Sequence, residues 1–158
     1  MEKVMLDFEY DWEPFTVQTR HLTFDELRKA RLNRAECSHW GPAVYKWEGV
    51  LTEGDKAGLR AVLIGETDDL RKRIKMYISG SQERGNAYWR EHFLTKGNIR
   101  LFVIRLLNGS LRVSTREPSL VKSSDIGHNN IRLILEPTLI QREILEGDER
   151  TWIVNRKI

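Results

Sequence analysis

Residues 59–78 have the sequence LRAVLIGETDDLRKRIKMYI, and the change of pattern within this stretch determines the predicted fold. The run Ala61–Ile64 is wholly apolar, as expected of a central strand that is covered on both faces of a sheet. Thr67 is a suitable N-cap, so the sequence predicts a strand followed directly by a helix over residues 67–78. The apolar residues of this helix recur at helical spacing and form one stripe: Leu70, Ile74, Tyr77 and Ile78.

Further strands are predicted on either side of this unit. Ala43–Trp47 is expected to pair with the apolar strand, and Trp152–Val154 is expected to form a last short strand. Ile99–Leu107 is also strand-like and leads into Asn108-Gly109, a strong signal for a two-residue hairpin turn. The returning strand of that hairpin would be Ser110–Thr115.

Helices are predicted over residues 86–94 and over most of residues 125–146. Within the second segment, Pro137 is either the first residue of a new helix or the site of a kink. The combination of helices with short strands indicates an α/β (α+β) fold in which a small, mainly antiparallel sheet is flanked by helices.

Residues 1–40 are predicted to form an N-terminal extension, and residues 41–158 the main domain. Alternating polarity in the extension indicates two short strands, Val4–Tyr10 and Phe15–Thr19. A capping box that starts at Thr23 then favours a short helix.

Composition restricts the class of protein. The chain has 158 residues, a net charge of +3 and a single cysteine, so it has no internal disulfide. No apolar run approaches the roughly 20 residues needed to cross a bilayer, and the N-terminus does not resemble a signal peptide. We therefore expect a cytoplasmic protein without a membrane partner.

Positive charge is concentrated between residues 71 and 105, where the only acidic residues are Glu83 and Glu91. Such a block can bind polyanions, because lysine and arginine displace the counterions of a nucleic acid. Solvated helix faces are the alternative explanation. The basic residues are Arg71, Lys72, Arg73, Lys75, Arg84, Arg90, Lys96, Arg100 and Arg105.

Two charged residues differ from their surroundings. Arg73 lies at the edge of the helical stripe, one turn before Tyr77, and a half-buried guanidinium there needs an anion. That anion is either a neighbouring carboxylate or a phosphate. Glu136 is the only acid in the apolar segment 131–140, so it needs an arginine, hydrogen-bond donors or a cation such as Mg²⁺.

In combination, these residues resemble the motifs of the GIY-YIG endonuclease family. The first motif corresponds to Ala43-Val44-Tyr45, which follows a proline, and the second corresponds to Leu63-Ile64-Gly65. In the family a short polar turn then leads to a helix that carries a key arginine, matched here by Arg73. An aromatic residue one turn later is common, and Tyr77 matches that position.

The remaining family motifs come from the end of the chain. The metal-binding glutamate of the family, in an apolar segment that continues with Leu-Ile, matches Glu136, and a late asparagine matches Asn155. The resemblance covers roughly residues 41–156 and implies a GIY-YIG nuclease-like fold.

The resemblance implies hydrolysis of phosphodiester bonds in DNA, with Mg²⁺ or Mn²⁺ as the cofactor. Tyr45, with a lowered pKa, would orient or deprotonate the attacking water, and Arg73 would stabilise charge on the phosphate. Glu136 would hold the metal ion, and Tyr77 would hydrogen-bond to the phosphate or to Tyr45. Asn155 completes the predicted catalytic set. Further residues would bind the flanking phosphates: Lys46, Arg71, Lys72, Lys75 and Arg90.

Two departures from the family pattern leave other functions open. Ala43 replaces the first glycine, and Leu63 replaces the second-motif tyrosine that lines the active site in the family. The alternative function is a DNA-binding module with the GIY-YIG fold but impaired cleavage. A third is an α/β interaction domain, in which the five tryptophans mark the core or a protein interface. One catalytic site cuts one strand, so double-strand cleavage would need a homodimer or two encounters.

Overall fold

The order of the strands places the apolar segment inside one sheet. The computed structural model describes residues 2–79, 86–114 and 116–155 and has a mixed α/β fold. The strands are β1 (Val4–Pro14), β2 (Ala43–Val50), β3 (Arg60–Thr67), β4 (Arg100–Val113), β5 (Ser119–Leu120) and β6 (Thr151–Ile153). Their order is β1-β4-β2-β3-β6, with β5 paired to β4. Within the described ranges the β3–β6 pairing is parallel and the others are antiparallel. The predicted α/β (α+β) class with a mainly antiparallel sheet is confirmed.

Helices cover both faces of this sheet. They are α1 (Phe24–Leu27), α2 (Leu70–Ser79), α3 (Asn86–Trp89), which continues into a π-helical turn (Arg90–Leu94), and α4 (Asn129–Glu146), which follows a 3-10 turn (Ser123–Gly127). α1, α2 and the π-helical turn share one apolar cluster with the sheet, whereas α4 packs on the opposite face. None of the helices in the described chain is long and apolar enough to cross a membrane.

The alternating side chains of β3 explain this arrangement. Ala61 and Leu63 belong to the cluster beneath α1 and α2, while Val62 and Ile64 belong to the cluster beneath α4. All four side chains are at most 4% exposed. Burial of a residue such as Leu63 or Ile64 stabilises the fold by roughly 1.5–3 kcal/mol. The prediction of a central strand covered on both faces is confirmed.

The segment predicted as an N-terminal extension supplies an edge strand of the same sheet. β1 is a single strand that continues through Pro14 and pairs with β4 along its length. The prediction of a second strand over Phe15–Thr19 is wrong, because this segment leaves the sheet and Val17 makes isolated bridges instead. The capping box is present, with the Thr23 hydroxyl accepting the backbone N–H of Glu26.

β4 is longer than predicted and passes straight through Asn108-Gly109. Asn108 pairs with Glu9 of β1, and Gly109 pairs with Phe8. A Cβ on Gly109 would lie 2.8 Å from the Phe8 ring, so the glycine serves close packing between strands rather than a turn. The hairpin prediction is wrong because a partner strand that is distant in sequence keeps β4 extended.

α2 begins later than predicted. Thr67 is the last residue of β3, and the helix starts at Leu70. Asp69 is the cap, because its carboxylate accepts the backbone N–H of Lys72 at 3.0 Å.

α4 is one continuous helix with Pro137 in its interior, so of the two predicted alternatives, a new helix or a kink, the new helix is wrong. Proline lacks an N–H, and Pro137 therefore cannot donate to the carbonyl of Leu133. Glu136 directly precedes this interruption of the helical hydrogen bonds.

Candidate active site

Tyr45 of β2 lies over Gly65 of β3. The two residues are paired in the sheet, and a Cβ on Gly65 would overlap the Tyr45 hydroxyl. Glycine is therefore required in the second motif because the phenol approaches the backbone closely.

Tyr77 of α2 forms a pair with Tyr45. The two hydroxyl oxygens are 2.9 Å apart, and the ring planes cross at 79°. The side chains are 2% and 5% exposed, so both hydroxyls are largely removed from water. Two hydrogen-bond partners were predicted for Tyr77, the phosphate and Tyr45, and the structure shows the hydrogen bond to Tyr45.

All residues predicted to be catalytic line one cleft of about 470 Å³. They come from β2, α2, α4 and the segment that follows β6: Tyr45, Arg73, Tyr77, Glu136 and Asn155. The second-motif residues Leu63, Ile64 and Gly65 line the same cleft. The sheet and the two helices on its opposite faces thus bring together groups from distant parts of the sequence.

Arg73 lines the cleft, and its Nε–H donor forms no hydrogen bond with the described residues. This Nε is buried. The salt bridge of this region in the described chain joins Arg132 to Glu66 and does not include Arg73. The carboxylate partner considered from the sequence is therefore not found there, and the guanidinium is available to an anion.

Glu136 of α4 is partly buried in the same cleft. Burial raises the pKa of its carboxyl above the ordinary value, the nearby Glu66 raises it further, and Arg73 opposes both effects. A cation placed between the two carboxylates would relieve their repulsion. No cluster of three or more histidine, cysteine, aspartate or glutamate side chains suited to a metal is present among the described residues.

The contents of the cleft are the basis for assigning a function. No family model, curated protein or solved structure matches this chain. Similarity therefore neither supports nor excludes the GIY-YIG resemblance.

Glu66 lines the cleft and was missed in the sequence. Arg132 of α4, only 3% exposed, donates from Nε to Glu66 Oε2 at 2.8 Å. Its Nη1 donates to the carbonyls of Ile126 and Gly127, so Arg132 anchors Glu66 to the wall of the cleft. The available signal was position, because Glu66 directly follows the glycine of the second motif.

Asn155 lies in the cleft but uses its amide elsewhere. Its Oδ1 accepts the backbone N–H of Ile64 at 2.7 Å, and its Nδ2 donates to the Ile64 carbonyl at 2.7 Å. Through these contacts the Asn155 amide supports β3.

The predicted lowering of the Tyr45 pKa is wrong. Burial raises the pKa of this phenol well above its ordinary value, and Tyr77 adds to the effect. Arg73 lowers the pKa, but one partly buried cation does not offset the loss of hydration of a phenolate.

Lys46, which was predicted to contact DNA, does not line the cleft. Lys46 points to the face of β2 opposite Tyr45, because neighbouring strand residues alternate in direction. Its side chain is buried, and its Nζ lies 3.1 Å from Glu48 and 4.9 Å from the centre of the Trp12 ring. Lys46 therefore belongs to an internal ion pair.

The other predicted DNA-binding residues lie on α2 and on the π-helical turn. Lys72 and Lys75 are exposed. Arg71 and Arg90 are partly buried, and each donates one bond to a backbone carbonyl, at 3.2 and 3.3 Å respectively. The two lysines are thus the cations of this set that are free to move towards a phosphate.

The tryptophans contribute mainly to the interior. Trp47 is fully buried, and the other four are partly buried: Trp12, Trp40, Trp89 and Trp152. Trp89 also lines the cleft, which the sequence did not indicate. Core packing accounts for most of these residues better than an exposed protein interface does.

Proposed function

We propose that this protein is a metal-dependent DNA endonuclease of the GIY-YIG type, which hydrolyses phosphodiester bonds. The observation that carries the proposal is the presence of Tyr45, Arg73 and Glu136, from β2, α2 and α4, in one cleft. A phenol, a free guanidinium and a carboxylate are suited to positioning water, binding a phosphate and holding a divalent cation.

Arg73 binds the scissile phosphate. A guanidinium has a planar fork of donors that matches two phosphate oxygens. Such a contact also gives an acceptor to the buried Nε, which otherwise carries the penalty of about 1–3 kcal/mol for an unsatisfied donor. Because negative charge on the phosphate oxygens grows in the transition state, the same contact lowers the barrier.

The carboxylates of Glu136 and Glu66 fit a hard divalent cation. Mg²⁺ is usually held by one or two carboxylates and completes its coordination with water, and Mn²⁺ accepts the same ligands. Glu136 would hold the ion, with Glu66 beside it at a position that Arg132 fixes. When bound, the ion supplies positive charge that polarises the phosphate.

Tyr45 acts as a neutral phenol. Burial keeps the pKa of Tyr45 well above its ordinary value, so its proton remains in place at neutral pH. Tyr77 fixes the direction of the hydroxyl through the 2.9 Å hydrogen bond. Tyr45 therefore orients the attacking water and does not remove its proton.

Relaxation of supercoiled plasmid tests the proposal. Wild-type protein is expected to nick the plasmid in Mg²⁺ or Mn²⁺ and not in EDTA. Arg73→Ala and Glu136→Gln should each lower the rate by about 10²–10³-fold. Arg142→Ala and Glu146→Gln are matched controls, because this exposed ion pair lies on α4 outside the cleft, and they should leave the rate unchanged. Equal nicking by Glu136→Gln and wild type would exclude the proposed site.

A DNA-binding module without cleavage is the second candidate. Leu63 is 4% exposed and lines the cleft at the position of the family's second tyrosine, so the cleft has one hydroxyl fewer. In this case the wild-type protein binds DNA and does not nick it, and Leu63→Tyr increases metal-dependent nicking.

A further inference from the structure

Three aromatic rings lie next to one another where α3 continues into the π-helical turn. The ring centroid of Tyr88 is 4.9 Å from that of Trp89 and 4.4 Å from that of His92. Trp89 lines the cleft, whereas Tyr88 is 51% exposed and His92 is also exposed. Tyr88, Trp89 and His92 together form an aromatic ridge.

The exposure of the aromatic ridge is unusual for this protein. In the part of the chain that the structure describes, Tyr88 is the one aromatic residue among the exposed large hydrophobic side chains. A single exposed apolar residue needs no explanation, but Tyr88 is held against His92 with the rings tilted by only 38°. The pair therefore presents aromatic surface to solvent next to Trp89, which lines the cleft.

The surroundings of the aromatic ridge carry positive charge. α3 packs against α2, and Arg90 of the π-helical turn, which lies 4.0 Å from Glu91, donates to the carbonyl of Ile78 on α2 at 3.3 Å. α2 exposes Lys72 and Lys75 to solvent. Aromatic surface beside lysine and arginine is complementary to a nucleotide, which has a flat base and a negative phosphate.

We propose that the aromatic ridge stacks an unpaired base next to the scissile phosphate, so that the preferred substrate is DNA with a single-stranded segment at the cleavage site. This inference rests on the proposed nuclease function of the cleft. The bases of an intact duplex are already stacked and expose only their edges, whereas an unpaired base offers its face to a tyrosine or histidine ring. The ridge thus favours single-stranded over paired DNA at this position.

Binding measurements with matched DNA test the inference. Fluorescence anisotropy in EDTA compares a fully paired duplex with the same duplex containing a short single-stranded gap. The wild type is expected to bind the gapped DNA about tenfold more tightly, the effect of roughly one base stack. Tyr88→Ala should remove this preference, and Tyr88→Phe, which keeps the ring, should retain it.

The inference would be overturned by equal affinity of the wild type for the two DNAs, or by full preference for gapped DNA in folded Tyr88→Ala. Far-ultraviolet circular dichroism and thermal unfolding establish that the variant is folded. Metal-dependent nicking without a preference for gapped DNA contradicts the inference and leaves the proposed function intact. Absence of binding to either DNA at low salt contradicts both.

Discussion

Glu136 has a proposed chemical role, and its ionised carboxylate lowers the stability of the folded chain. Burial and the neighbouring Glu66 raise the pKa of its carboxyl, so ionisation is less favourable in the folded than in the unfolded chain. Below the unfolded pKa the carboxyl is protonated in both states, and the stability of the folded chain is not reduced. As the pH rises through the folded pKa, the carboxyl ionises in the folded chain as well, and that stability is lost. Residues that serve function rather than folding often behave in this way.

We therefore expect Glu136→Gln to increase the free energy of unfolding at pH 7 in the presence of EDTA, because it removes a charge that is poorly solvated. The difference from wild type should disappear at pH values below the unfolded pKa, where the wild-type carboxyl is protonated in both states. Urea unfolding at the two pH values measures this, with Glu146→Gln as the exposed control on α4. A variant less stable than wild type at pH 7 would contradict the electrostatic explanation.

At the scale of the secondary-structure elements, β6 is a short strand whose pairing with β3 is continued by the side chain of Asn155. β6 pairs with β3 as far as Ile153, and the backbone N–H of Val154 then donates to the Val62 carbonyl at 2.8 Å. The side-chain amide of Asn155 supplies the next two hydrogen bonds, to the N–H and carbonyl of Ile64. Asn155 therefore stabilises the strand that carries the second motif.

Asn155→Ala is expected to lower the free energy of unfolding by about 1–3 kcal/mol, because a buried N–H and carbonyl of β3 lose their partners. Chemical denaturation measures the change, and Asn98→Ala provides a control at an exposed asparagine. If Asn155→Ala instead abolished nicking without changing stability, the amide would act on the substrate and the structural interpretation would be wrong.

At the scale of the whole molecule, exposed side chains of opposite charge are found on the edge strand β1 and on the helix beside the cleft. The edge strand β1 exposes acidic side chains, namely Asp7, Glu9 and Asp11. α2 exposes Lys72 and Lys75. Under the proposed function, the exposed lysines of α2 would attract a nucleic acid to the side of the cleft.

The salt dependence of DNA binding should reflect this distribution of charge. Each lysine that contacts a phosphate contributes about 0.9 to the slope of log affinity against log salt concentration. Lys72→Ala combined with Lys75→Ala should therefore reduce the slope by about 2. Lys3→Ala, next to the acidic edge strand, is the control and should leave the slope unchanged. An unchanged slope in the double variant would show that DNA binds elsewhere.

The sequence by itself determined the strand–turn–helix unit over residues 59–78 and those cleft residues that match the family motifs. A continuous apolar run, a helical stripe and a motif glycine are local patterns, so they are visible without a partner segment. For the same reason, Arg73 at the edge of the helical stripe and Glu136 within an apolar segment could be selected before their surroundings were known.

Only the tertiary structure decided how these groups are used. The extended path through Asn108-Gly109 depends on pairing with β1, which lies about a hundred residues earlier in the chain. The burial of Lys46, the high pKa of Tyr45 and the bonds of Asn155 to Ile64 depend likewise on groups brought close by folding. Hydration and hydrogen-bond partners are set by distances in space, and a linear pattern does not contain those distances.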